Sequence, residues 1–182
     1  LELGLKLFGQ MSFAEVSIDD IAARAGISRG LLYHYFKGKR GFYTETVRHA
    51  AQSLVDRLEG QSEGDPEERL RKGLERYIDY VEEFALPYTV LIRGGIGVDQ
   101  QVNTIRDETR EVIVSRMMED APEELPRVPA VRAAFRGWLR LVEGMSLDWI
   151  DRRELERHEL VETLAAALEP LVETAAASAR RH

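Results

Sequence analysis

Residues 27–40 read ISRGLLYHYFKGKR. They gather four cations (Arg29, Lys37, Lys39, Arg40), three aromatics (Tyr33, Tyr35, Phe36) and His34, and admit no acid. The whole chain carries a net charge of −7, so this concentration is local. A face that needs only to stay soluble has no use for the aromatics, and a core has no use for the cations. Both suit a negative, grooved surface such as double-stranded nucleic acid. At about 100° per residue, Leu32 and Phe36 fall together on a helix and face a core. The opposite side holds Gly30 and His34, flanked by Leu31 on one side and by Arg29 and Tyr33 on the other, with Tyr35 nearer the core edge. Gly30 lets the backbone come close. Arg29 sits in the first turn, where a guanidinium can meet a guanine edge in bidentate fashion. His34 can donate to a base or a phosphate, and Leu31 can touch a thymine methyl. Tyr33, Lys37 and Lys39 suit phosphates, which position without reading sequence. Ser17, at a neighbouring helix N-terminus, can pair its cap with a phosphate. Taken singly, each residue reads as solvated surface or half-buried packing. The case rests on turn, cap, apolar register and acid-free basic face coinciding.

The elements that must hold this stretch are helices. Leu3, Leu7, Phe8 and Met11 mark an opening helix face. Ser17 precedes Ile18, Ile21, Ala22 and Ala25, with Asp20 in the capping-box position and Gly26 as the stop. Ser28 caps a second short helix ending near Phe36, and Gly38 opens a longer one to about Glu59. Two short helices joined by Ala25-Gly26-Ile27 make a helix-turn-helix, whose second member enters a major groove. GQSEGDP (60–66) reads as a linker. Leu70, Leu74, Tyr77, Ile78, Val81 and Phe84 form an apolar stripe that Pro87 is expected to break, with a short helix to RGGIG (93–97). A further helix from Asp99 turns Val102, Ile105, Val112, Ile113 and Met117 inward. DAPEELPRVP (120–129) is a loop, and helices over 130–150 and 152–177 follow, the last expected to kink at Pro170. No strand and no repeat is visible.

The segment FAEVSIDDIAARAGISRGLLYHYFKGKRGFYTETV resembles the N-terminal DNA-binding domain of TetR-family transcriptional regulators. The family pattern runs from an apolar first helix, through Thr or Ser, to IA..AG.S.G.LY.(H/Y)F..K. Leu7-Phe8, Ser17, Ile21-Ala22, Ala25-Gly26, Ser28, Gly30, Leu32-Tyr33, Tyr35-Phe36 and Lys39 meet it, over about residues 1–50. Two positions depart. Met11-Ser12 stand where the family often has Gly, and Leu31 where it often has Thr or Ser, which exchanges a polar contact for an apolar one. The resemblance implies an all-α chain: a three-helix DNA-binding domain at 1–50, then a helical ligand-binding and dimerisation domain at 51–182. It also implies a ligand-responsive regulator, in the first instance a repressor, that binds a near-palindromic operator as a homodimer. Its alternatives are an activator, or a module whose C-terminal domain binds a protein partner.

Charge agrees with this division. Residues 1–50 hold seven Lys/Arg and five Asp/Glu, while residues 51–182 hold 18 and 27. Only the first part is built to meet a polyanion. In the second part Leu160, Leu164, Leu168 and Leu171 share a helical stripe. Gly137 and Gly144, seven residues apart, weaken their helix by about 1 kcal/mol each unless another helix comes close. These six residues are the expected dimer surface, with packing inside one subunit as the other reading. Tyr77, Phe84, Tyr88, Met117, Trp138 and Met145 are of the kind that lines an apolar effector pocket, and equally of the kind that fills a core. Arg93 and Glu143 interrupt apolar neighbourhoods and can orient a ligand, pair with each other, or reach solvent.

Other classes find little support. There is no cysteine, and His34, His49, His158 and His182 make no metal-ligand spacing, so neither metal nor cofactor is expected. GGIG follows no strand, and no serine sits in a GxSxG elbow, so an enzyme is not expected. No apolar run approaches the ~18 residues of a membrane span, so no membrane partner is expected and the cytoplasm is the expected location. The chain opens without Met inside an apolar pattern, and residues upstream are expected.

Overall fold

The computed structural model describes residues 1–59, 64–93 and 100–179. Among them every regular element is an α-helix: α1 (Glu2–Gln10), α2 (Ile18–Ala25), α3 (Arg29–Phe36), α4 (Lys39–Arg57), α5 (Pro66–Glu83), α6 (Ala85–Arg93), α7 (Gln100–Asp120), α8 (Pro129–Arg152) and α9 (Arg157–Ala179). The helices group into two compact units, 1–56 with 83–108, and 57–82 with 109–182. These interleave along the chain, whereas the division read from the sequence cuts it once, at residue 50.

The first unit is built on aromatic packing beneath the helix-turn-helix. Phe8 and Tyr43 meet edge-on with centroids 4.8 Å apart, Phe13 joins Tyr43 at 5.3 Å, and Phe36 meets Phe42 at 5.0 Å. Edge-to-face pairs of this kind add about 0.5–1.5 kcal/mol each beyond the area they bury. Val16, Ile21, Leu32 and Val47 complete the core. A Cβ at Gly41 would lie 1.7 Å from the Phe36 carbonyl oxygen, so only glycine lets α4 start this close behind α3. In the same unit α6 packs on α1.

In the second unit α8 and α9 pack on each other. The Trp138 indole N–H donates to the Leu164 carbonyl at 2.8 Å, and that of Trp149 to the Leu155 carbonyl at 2.8 Å. Val114, Val131, Phe135, Leu139 and Val172 fill the space between α7, α8 and α9. Arg71 reaches both carboxylate oxygens of Glu162, tying α5 to α9. Arg132 and Arg136 of α8 clasp Glu111 of α7 and hold its carboxyl down to about 2.

Two details depart from the sequence reading. The break after α5 falls at Phe84, and position 87 sits inside the first turn of α6, where proline's missing N–H has no intrahelical partner to lose. Val112 is exposed, and Val114, two residues on, is wholly buried in its place. Helix α9 continues through Pro170 to Ala179. Asp99, most of RGGIG and residues 60–63 of the linker lie outside the described residues.

Candidate functional site

Local chemistry shapes the helix-turn-helix. Asp20 accepts from the Ser17 backbone N–H at 3.0 Å, and the Ser17 hydroxyl accepts from the Asp20 N–H at 3.0 Å, a complete capping box. The Ser17 hydroxyl also donates to the Asp20 carboxylate, and these bonds lower the Asp20 pKa. Gly26 ends α2 in the left-handed region at φ 66°, a conformation that favours glycine. Ser28 then caps α3 through the Leu31 N–H at 3.1 Å.

The register of α3 presents the expected face. Leu32 is buried, while Arg29, Gly30, Leu31, Tyr33, His34, Tyr35 and Lys37 are exposed. Tyr35 differs from the reading that put it nearer the core edge: it is 68% exposed, the furthest out of the large apolar or aromatic side chains. It lies in the last turn, where Phe36 takes the core side. The Tyr33 ring lies beside Gly38, where a built Cβ would stand 3.2 Å from Cε1.

Three expected contacts are already engaged. The Ser17 hydroxyl is committed to its capping box. The Lys39 ammonium lies 4.3 Å from the Phe13 ring centroid and donates to the Ala14 carbonyl at 3.4 Å, which leaves N–H donors for a phosphate. Arg29 pairs through Nε with Asp19 Oδ1 at 3.1 Å. Asp19 was absent from the sequence reading because it stands ten residues from Arg29 on another helix. The acid-free stretch is acid-free in sequence only.

The second unit holds a half-open cleft of about 1570 Å³ among α5, α7, α8 and α9. Tyr77, Met117 and Trp138, three of the residues expected to meet an effector, line it. Phe84 and Tyr88 belong to the other unit, with Tyr88 wholly buried there. Met145 lines a separate depression with Leu141, Gly144 and Leu155. Glu143 is no free ligand contact. Arg110 donates to it from Nε at 2.9 Å and from Nη2 at 2.9 Å, with side chains 17% and 9% exposed for Arg110 and Glu143. The side chain of Arg93 lies outside the described residues.

The expected dimer surface is corrected in part. Leu160 and Leu164 are wholly buried in the chain's own core and are not available to a second copy. Leu168 packs partly against the core of Val114, Val131, Phe135 and Val172. Leu171 is exposed, as are Gly137 and Gly144. The exposed positions Thr163, Pro170 and Thr174 of α9 lie instead roughly a quarter of a turn from Leu160 and Leu164. The open side of α8 runs through Ala133, Gly137, Leu141 and Gly144.

A capped pair of short helices over an aromatic core, with the second helix presenting cations and aromatics, defines a helix-turn-helix protein. Comparison with known proteins agrees. Residues 1–46 match the family described as bacterial regulatory proteins, tetR family, and residues 66–168 match the tetracyclin repressor-like C-terminal domain. The crystal structure of a tetR-family transcriptional regulator from Streptomyces coelicolor is 34% identical with a TM-score of 0.82, over 97% of this chain and 80% of that one. The HTH-type transcriptional regulator BetI of Escherichia coli (strain K12 / DH10B) is 26% identical over 178 residues, 90% of this chain and 91% of that protein. BetI of Yersinia pestis (strain Pestoides F) is 27% identical over 153 residues, 81% and 77% of the two chains. The chain belongs to the TetR family of transcriptional regulators, which bind DNA and are not enzymes. No described helix is long and apolar enough to cross a membrane.

Proposed function

We propose that this regulator binds a near-palindromic operator as a homodimer in the cytoplasm and is released from it by a small, mostly apolar effector. The observation that carries the DNA half is the outward face of α3, where Arg29, Leu31, Tyr33, His34 and Tyr35 all stand exposed on a helix without an acid. Two copies of α3 would enter successive major grooves about 34–36 Å apart. The dimer half is supported by the open sides of α8 and α9, uncharged at Ala133, Gly137, Leu141 and Gly144 and at Thr163, Pro170, Leu171 and Thr174. A four-helix interface from two copies would cover both. The effector half is supported by the cleft, floored by Tyr77, Met117, Trp138 and Leu139. An effector that binds one head spacing better than another lowers DNA affinity by that difference. The sign of regulation follows from where the operator lies relative to the promoter, and repression is the simplest arrangement.

Fluorescence anisotropy on the intergenic DNA beside the gene, against scrambled DNA at two salt concentrations, tests the reading. Selective, salt-sensitive binding is expected. Equal and weak binding to every duplex tried, with the full-length chain as well, would remove the operator from the account. A hydrophobic ligand screen in which nothing changes DNA affinity would move the second unit to binding a protein partner.

A further inference from the structure

The two adjacent acids at the start of α2 do different things. Asp20 turns back to cap its own helix, bonded to Ser17. Asp19 reaches across to α3 and pairs with Arg29. Helix stability accounts for one member of that pair and not the other: Asp19 stands in the first turn of α2, where the helix dipole favours an acid. Arg29 opens α3, where the helix dipole disfavours a cation, and the first turn of α3 contains no acid to offset it. Both side chains stand well in solvent, 59% and 63% exposed, where an ion pair adds little to stability. On a surface that meets phosphates, a carboxylate also repels the ligand. The dipole of α2 explains an acid at position 19 but not its pairing with a cation expected to read bases.

Geometry supplies a reason. Asp19 Oδ1 stands 3.1 Å from Nε of the guanidinium, an ion pair at the stem end of the group with no directed hydrogen bond between them. No other partner meets Arg29 among the described residues, so the two Nη groups keep their donors. A guanine edge offers two acceptors, O6 and N7, and needs two donors fixed in one plane. A guanidinium on an exposed, freely turning side chain gives up rotamer freedom to present that fork, and it can equally turn to a phosphate. A carboxylate beside Nε biases that choice toward the side of α2.

We propose that Asp19 is a positioning residue that sets the specificity of Arg29: its charge draws the guanidinium to the α2 side, leaves the two Nη groups for a guanine, and competes with the neighbouring phosphates for it. This rests on the DNA reading above and adds to it a division of labour between the two helices, in which α3 supplies the reading group and α2 aims it.

The test is selection from random duplex DNA by the whole chain, followed by anisotropy on the selected duplex and its single-base variants. Wild type is compared with Arg29→Ala, Asp19→Ala and the shape-preserving Asp19→Asn. Wild type is expected to prefer guanine at one position of each half-site by roughly 5- to 150-fold, the range of one bidentate pair. Arg29→Ala abolishes that preference. Asp19→Ala loses most of it at the same position, with the other positions unchanged and with affinity for random duplex equal to wild type or higher. Asp19→Asn, which keeps an acceptor without the charge, falls between. A merely structural role for Asp19 predicts something else, a uniform loss at every sequence, and that result overturns the proposal. So does a guanine preference that survives in both Asp19 variants, or an Arg29→Ala profile identical to wild type. Should Asp19→Ala be too unstable to assay, Asp19→Asn decides by the same readout. A wild-type chain that selects no sequence at all overturns the DNA reading itself, and this proposal with it.

Discussion

Gly137 offers a perturbation whose sign depends on the partner. A Cβ built at Gly137 meets nothing within 4 Å, and the same holds at Gly144. Inside one chain, therefore, Gly137→Ala has no packing cost. It gains the helix propensity that glycine lacks, about 1 kcal/mol in a helix interior. Gly137→Glu gains somewhat less, roughly 0.5 kcal/mol on the same scale, and places a charge among Ala133, Leu141 and Gly144, with Arg140 and Asp148 the nearest exposed charges on that side. If that stripe is the dimer surface, the added carboxylate must be desolvated against a second helix, with only Arg140 one turn away to offset it, at several kcal/mol. Each 1.4 kcal/mol is tenfold in a dissociation constant, so a loss of about 4 kcal/mol moves it roughly a thousandfold. The expected outcome is a dimeric wild type, a Gly137→Glu chain that sediments as a folded monomer at micromolar concentration, and helical circular dichroism unchanged between them. The predicted monomer should also bind a full operator much more weakly than wild type, because one half-site is then met at a time. A Gly137→Glu chain that remains dimeric and unfolds at a higher temperature would refute the reasoning. It would place the glycines on a free surface. A wild type that is itself monomeric would do the same more directly.

Three further outcomes follow from particular contacts. Replacing Glu143 with Leu should cost about 3–5 kcal/mol in urea unfolding, because Arg110 loses its bidentate partner in a largely buried setting. The double replacement Arg110→Met with Glu143→Leu should recover most of that, and a double variant no better than the single would mean the pair is not the cause. Lys39→Ala should weaken binding to all sequences alike and reduce the slope of log K against log salt by about 0.9. An unchanged slope would leave Lys39 with the Phe13 ring and the Ala14 carbonyl as its whole role. For acid, the Glu111 carboxyl is held below its ordinary value of 4.5, at about 2, by hydrogen bonds from Arg136 first and Arg132 next. A lowered folded pKa means its stabilisation is complete above pH 4.5 and is lost as pH falls toward about 2. Glu111→Gln should therefore flatten the acid limb of melting temperature against pH, and an acid limb identical to wild type would show that the clasp does not contribute.

The limits of α2 and α3 were legible in the sequence almost to the residue, since Ser17, Gly26 and Ser28 are local instructions whose partners lie within five residues. The apolar register of Leu32 was equally local, and so was the outward face it implies. Capping and periodicity act over one or two turns of a single helix, and no other part of the chain is needed to read them. The pairs that join separate helices were not legible. Asp19 with Arg29, Arg110 with Glu143 and Lys39 with Phe13 each join elements whose relative placement a one-dimensional pattern does not contain. The leucine stripe of α9 shows the same limit from the other side. Period alone marks Leu160, Leu164, Leu168 and Leu171 as one apolar face, and it says nothing of what that face packs against. Tertiary packing spends Leu160 and Leu164 on the chain's own core, so the open face of α9 passes to Thr163, Pro170 and Thr174. Helix identity and register are short-range consequences of backbone hydrogen bonding and side-chain spacing. Which apolar stripe lies inside, and which acid meets which cation, is decided only when the helices fold against one another and exclude water between them.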